Sequence, residues 1–284
     1  MAGTWESAVE WLRSQPDHQL LVEQCYFDDP LLEAARRYAA SEEWTAIRRL
    51  LPCPVGRALD VGAGRGISSF ALAQDGWEVV ALEPDPSSVV GAGAIRELAA
   101  GASLEIAVVE EFGEKLPFAD ATFDLVLARQ VLHHAANLAQ FCREVARILR
   151  PGGKLVATRE HVISKRDDLP AFLASHPLHA LYGGENAFLL SEYVDAFLDA
   201  GLRVSQVFGP YDSVINYFPM SYDNWRLECI GPLRRRAGSR LTTVLTSRRH
   251  PVGRELLRLL AAHASRRCDT PGRLYSFVAE KRRK

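Results

Sequence analysis

The chain has 284 residues, 48% of them hydrophobic and 24% charged, with a formal net charge of −1. That composition belongs to a globular protein and excludes an intrinsically disordered or collagen-like chain. Its apolar runs are strand-length, far short of the roughly 20 residues a membrane helix needs, so no membrane association is expected. The start, Met1 to Glu6, lacks the basic and apolar regions of a secretory leader. Five cysteines (Cys25, Cys53, Cys142, Cys229 and Cys268) form no CxxC pair, a pattern of reduced thiols that makes a cytoplasmic location the expectation. The charge is uneven: residues 231–284 hold 15 Lys/Arg against 3 Asp/Glu. Such a segment suits either an anionic partner or solvated helix faces packed on an acidic body. It lacks a regular alternation of basic and aromatic residues, so nucleic acid is not the expected partner.

In chain order, residues 1–50 read as helices. Trp5, Val9 and Leu12 share a face, a second helix starts at Asp28-Asp29-Pro30, and a third runs from Ser41 to Leu51. From Arg57 the pattern becomes strand then helix. Strands are expected at 57–61, 78–82, 104–109, 123–128, 154–158 and 202–207, with a last one at 274–280. Helices are expected at 66–75, 86–100, 138–149 and 191–200. This alternation predicts an α/β fold with a parallel sheet covered on both faces. Two stretches, 161–190 and 209–272, exceed ordinary loops and fall beside the C-terminal strand ends, where open α/β sheets bind ligands.

The chemistry starts at Leu59-Asp60-Val61-Gly62-Ala63-Gly64-Arg65-Gly66. Glycine there allows a sharp turn and close backbone approach to a ligand, at the N-terminus of the next helix. Asp60 ends the first strand, placed to accept from a cationic ligand group. Glu83, followed by Pro84, ends the second, where a carboxylate can take both hydroxyls of a ribose. The glycines fall at 62, 64 and 66, which is not the GxGxxG spacing of a nicotinamide-dependent oxidoreductase.

Further on come Glu111-Phe112-Gly113-Glu114-Lys115-Leu116-Pro117-Phe118, Phe123-Asp124-Leu125-Val126, His133-His134 and Arg147-Ile148-Leu149-Arg150-Pro151-Gly152-Gly153. With the glycine-rich turn, this order over residues 57–160 resembles the class I S-adenosylmethionine-dependent methyltransferases of the broad type 11 group. The resemblance implies a Rossmann-like seven-stranded sheet ordered 3-2-1-4-5-7-6, strand seven antiparallel and supplied by 274–280. It also implies an N-terminal helical lid (1–52) that carries Tyr26 and Tyr38, a core at 53–208 plus 273–284, and a substrate cap from 161–190 and 209–272.

The resemblance implies S-adenosyl-L-methionine as cofactor. Asp60, Gly62, Ala63 and Gly64 match the loop beside its methionine part, and Glu83 with Pro84 matches the ribose position. Relatives place an Asp on the adenine amine where this chain has Phe112, so either Glu111 substitutes or Phe112 stacks on the purine. Arg129 stands where relatives have a small residue, and it can reach a carboxylate of cofactor or substrate.

For the transfer itself, a proton acceptor is needed if the nucleophile is a hydroxyl. His134, His133 and His161 are the candidates, because histidine titrates near neutrality. Glu160, His176, His179, Tyr182, Glu185 and Asn186 are the expected substrate contacts, joined by Tyr217 from the 209–272 stretch. No metal site is assigned, although His161, His176, His179 and Glu185 are suitable ligand types without a compact HxxxH motif. The expectation is therefore an enzyme that methylates an oxygen or nitrogen of a small polar metabolite, with a homodimer as a possible assembly. The alternatives are a catalytically silent module of the same fold that holds a partner or RNA, and the oxidoreductase.

Overall fold

The computed structural model describes residues 4–237 and 251–283, so part of the basic C-terminal segment lies outside the described residues. Eight strands form one sheet: β1 (Arg57–Val61), β2 (Glu78–Leu82), β3 (Ile106–Val109), β4 (Phe123–Arg129), β5 (Leu149–Ile163), β6 (Phe188–Leu189), β7 (Leu202–Phe208) and β8 (Arg273–Lys281). The order is β3-β2-β1-β4-β5-β8-β7, with the two-residue β6 parallel to the far end of β5. β8 runs antiparallel between β5 and β7. Discounting β6, this is the 3-2-1-4-5-7-6 order expected from the sequence, with the last strand in the chain inserted before the sheet edge.

Alternate strand residues serve opposite faces, as the two-residue period of a strand requires. Leu59, Val61, Val126 and Ala128 face one core, beneath α7 (Leu138–Ile148) and α10 (Leu190–Asp199), which contribute Phe141, Val145, Tyr193 and Phe197. Ala58, Leu125, Leu127 and Val156 face the other, against α3 (Leu31–Ala39), α4 (Glu42–Arg48) and α5 (Ile67–Gln74). Tyr38, Trp44 and Ile47 are fully buried there, each contributing about 1.5–3 kcal/mol. The second half of the N-terminal region is therefore a core layer. α1 (Trp5–Ser14) and α2 (Gln19–Gln24) lie outside that layer, and their Leu12 and Val22 pack on Leu178.

Helix boundaries follow local chemistry. The side chains of Thr4, Ser41 and Asn137 accept from Ser7 N, Trp44 N and Gln140 N, capping α1, α4 and α7. The helix expected at 86–100 is instead α6, Ala92–Ala102. Before it, Asp85 accepts from Ser87 N and Ser87 Oγ accepts from Val89 N and Val90 N. Such local hydrogen bonds compete with the helix and delay its start.

The 161–190 stretch forms α8 (Leu169–Ser175) and α9 (His179–Tyr182). The described part of 209–272 forms α11 (Val214–Tyr217), α12 (Tyr222–Ala237) and α13 (Pro251–Arg267). α12 and α13 make a small core of their own from Trp225, Cys229, Ile230, Leu257 and Ala261. Among the described residues, no helix is long and apolar enough to cross a membrane.

Candidate active site

The turn after β1 is closed by Ala63 N donating to Leu82 O (3.1 Å) and Gly66 N to Ala63 O (2.8 Å). Gly62 and Gly64 have φ of 61° and 53°, the left-handed region where a side chain is strained. A Cβ on Gly62 would also lie 2.7 Å from Val131 Cγ2. Glu83 accepts from Gly64 N (2.7 Å) and from Asp85 N (3.0 Å), which fixes its carboxylate at the end of β2. Asp60 is buried and accepts from Ser69 Oγ at 2.6 Å. Burial raises its pKa to about 7, opposed by the Ser69 hydrogen bond.

These residues form one side of a cavity of about 950 Å³. Asp60, Gly62, Ala63, Gly64, Glu83, Pro84, Glu111, Phe112 and Arg129 all line it. Phe112 is 66% exposed, so it is a rim residue and not part of the core. Arg129 differs from expectation. Its guanidinium is already paired with the buried Glu43 of α4, Nε to Oε1 at 2.8 Å and Nη2 to Oε2 at 3.1 Å. It anchors the helical layer to the end of β4 and is no free reader of a carboxylate.

The other side of the cavity is built on β5. Its pairing with β8 shifts register between Ala157 and Glu160, and Arg159 takes a φ of 61°. A bulge of this kind re-aims the residues that follow it. Glu160 is fully buried and accepts from Val131 N (3.2 Å), His133 N (3.1 Å) and His133 Nδ1 (2.7 Å). It does not line the cavity, so the expected substrate contact is instead the cap that holds the His133-His134 turn.

His133 Nε2 lies 3.6 Å from Glu185 Oε2, placing the ring between two carboxylates. Burial disfavours its charge, but the hydrogen bond to Glu160 and the nearby Glu185 carboxylate prevail and carry its pKa up to about 9. With Nδ1 bonded to Glu160 and its charge favoured by two carboxylates, His133 is disfavoured as a proton acceptor beside His134 and His161. Glu185 is buried, yet His133 holds its carboxyl well below the usual range. Tyr182 donates to its Oε1 at 2.7 Å.

His134 and His161 donate from Nδ1 to Gly184 O (2.9 Å) and Gly272 O (2.7 Å), because a carbonyl only accepts. Their Nε2 atoms therefore carry the lone pair. Burial and the neighbouring His133 lower both pKa values, that of His161 to about 3. His133, His134, His161, His176, Tyr182 and Glu185 all line the cavity.

Three expected contacts fall elsewhere. His179 and Asn186 are not part of the lining, and Tyr217 stacks on Trp225 at 5.0 Å beside the α12–α13 core. Two features escaped the sequence reading. Arg65, inside the glycine-rich turn, donates to Tyr26 O (3.0 Å) and Asp28 O (2.9 Å) and pairs with Asp29. The remaining wall is apolar, with Trp5, Leu21, Phe27, Pro177 and Leu178.

Residues 59–157 match the family model described as a methyltransferase domain. That match places a methyltransferase domain at residues 59–157 of the chain. An uncharacterized methyltransferase of Mycobacterium sp. (strain JLS) is 35% identical over 132 residues, 45% of this chain and 46% of that protein. The chain thus spans about half the length of this curated relative. A ubiquinone biosynthesis O-methyltransferase of Rhizobium johnstonii is 29% identical over 175 residues, 60% of this chain and 67% of the relative.

Among solved structures, geranyl diphosphate methyltransferase superposes with a TM-score of 0.57 at 18% identity, covering 87% of this chain and 83% of that one. A structure of a methyltransferase from Bacillus halodurans gives 0.55 at 18% identity, over 86% and 100%. The fold is shared well beyond the matched segment, and the methyltransferase domain supplies the cradle side of the cavity.

Proposed function

We propose that the protein transfers a methyl group from S-adenosylmethionine to an oxygen, or less favourably a nitrogen, of a small molecule with an apolar body. One observation carries this reading: a single cavity joins the cradle at the ends of β1 and β2 to a wall of histidines and Glu185. The residues fit the cofactor. The left-handed Gly62 and Gly64 would leave room for its methionine part, Asp60 would hold its amino group, Glu83 would take the ribose hydroxyls and Phe112 would offer a face to the purine. When bound, the cofactor supplies a methyl group already activated by its sulfonium.

The chain's residues do the rest by position and proton handling. Neutral His134 accepts the nucleophile's proton at Nε2, and its orientation is held by Gly184 O. Glu160 holds the turn on which His134 sits. Trp5, Leu21, Phe27 and Leu178 exclude water and cover an apolar substrate body, which narrows the polar metabolite expected from the sequence to an amphipathic one. Transfer to oxygen agrees with the relative that is a ubiquinone biosynthesis O-methyltransferase.

The test is methyl transfer from radiolabelled cofactor to a panel of phenols, prenylated alcohols and sugars. Label should pass to phenols or prenylated alcohols. Transfer to sugars alone would contradict the amphipathic reading.

A further inference from the structure

His161, His176 and Glu185 each offer a ligand atom within 4.8 Å of the others, on the wall of the cavity facing the cradle. His161 lies on β5 beyond the bulge, His176 follows α8, and Glu185 follows the left-handed Gly183 and Gly184, whose φ values are 74° and 92°. Three chain segments thus converge on one point.

Two of the three side chains carry polar atoms without a hydrogen-bond partner. His176 Nδ1 and Glu185 Oε2 are both buried and unsatisfied, and the Glu185 side chain is only 5% exposed. The nearest cation to Glu185 Oε2 is His133 Nε2 at 3.6 Å, beyond hydrogen-bond distance. A buried carboxylate oxygen without a hydrogen bond costs free energy that a structure ordinarily avoids. The groups that are satisfied are held in the manner of metal ligands. His161 donates Nδ1–H to Gly272 O at 2.7 Å, which turns a bare Nε2 away from that carbonyl, and Tyr182 donates to Glu185 Oε1 at 2.7 Å. Outer partners of this kind orient ligands and fix the histidine tautomer.

We infer that His161, His176 and Glu185 bind one divalent transition-metal cation. Two imidazoles and one carboxylate suit borderline cations such as Zn²⁺, Co²⁺ and Fe²⁺ over Mg²⁺ or Ca²⁺, which take oxygen ligands. Three protein ligands leave a coordination position open, as catalytic zinc sites do. All three residues line the same cavity as the cradle, so a substrate hydroxyl bound to the cation would be both oriented and acidified. His179, of suitable type in the sequence, is not a ligand because it lies outside the cavity lining. The site goes beyond the methyl-transfer reading and stands if that reading fails.

The experiment uses the full chain stripped with a chelator and titrated with Co²⁺, followed by its visible absorption bands and by competition with Zn²⁺. One equivalent should bind and develop the bands of a low-coordinate nitrogen–oxygen site. Tyr182→Phe should weaken binding about tenfold. His161→Ala and Glu185→Gln should weaken it further, while His179→Ala leaves it unchanged. Each variant is checked for retained binding of S-adenosylhomocysteine, which reports the folded cradle and separates loss of the metal from loss of the fold. Absence of the bands in the folded wild-type chain would overturn the site. So would binding that Glu185→Gln and His161→Ala leave as tight as His179→Ala does.

Discussion

Glu43 on α4 and Arg129 at the end of β4 form a bidentate ion pair in the protein interior, with Glu43 fully buried. The guanidinium also lies 5.3 Å from the Tyr38 ring, and Arg159 Nε stands 4.0 Å from the same carboxylate. Bidentate, charge-assisted pairing of this kind is directional as well as strong. It ties the N-terminal helical layer to the strand that leads into the histidine turn.

Glu43→Ala leaves Arg129 buried and unpaired, with Arg159 beside it. Breaking one side of a buried pair costs about 3–5 kcal/mol. Urea unfolding of the variant should show a loss of that size at an unchanged m-value. A loss within the range of a surface substitution would mean that the pair is solvated in solution.

Gly62→Ala tests the cradle. The added Cβ sits at a φ of 61° and meets Val131, which precedes the histidine turn. Left-handed backbone costs a side-chain-bearing residue about 1–2 kcal/mol before any clash. Melting temperature should fall modestly. The dissociation constant for S-adenosylhomocysteine should rise at least about tenfold, equivalent to about 1.4 kcal/mol. Calorimetry on the variant checks both.

Asp60 gives a pH dependence with a definite sign. Its pKa is raised to about 7, chiefly by burial, so the folded chain without cofactor keeps the proton that an unfolded Asp loses near its ordinary value of 3.8. Its contribution to stability is therefore complete below that ordinary value and is lost as pH rises through about 7. Binding a cationic amino group requires the ionised carboxylate. Affinity for S-adenosylhomocysteine should thus strengthen between about pH 6 and pH 8. Asp60→Asn should flatten that profile, and an unchanged profile would remove Asp60 from the cofactor site.

His134→Ala should lower kcat by about 10²- to 10⁴-fold, the range for loss of a general base. The KM for S-adenosylmethionine should stay near the wild-type value. Steady-state kinetics with the first accepted substrate measures the split. A rise in that KM with kcat unchanged would make His134 a binding residue.

The cradle was legible in the sequence because glycine, strand-end carboxylates and a following helix are neighbours along the chain. Asp60, Gly62, Gly64 and Glu83 all line the cavity. The placement of the last strand was legible through resemblance alone, since nothing local tells Arg273–Lys281 to enter between β5 and β7. Long-range pairing was not legible. Glu43 and Arg129 are 86 positions apart, and Glu160 reaches 27 positions back to cap the histidine turn.

Direction within irregular segments was also hidden. Glu185 enters the cavity and its neighbour Asn186 does not, because two left-handed glycines set the chain's course before them. Tyr217 carries a residue type suited to a pocket, yet it packs on Trp225, a contact that no periodicity encodes.

The most direct test of the account is calorimetric titration of the full chain with S-adenosylhomocysteine, beside the Glu83→Ala variant. The account predicts a single site in the wild-type protein and a dissociation constant raised at least about tenfold by loss of the carboxylate, about 1.4 kcal/mol. No binding by the folded wild-type chain, or binding that Glu83→Ala leaves unchanged, would contradict it.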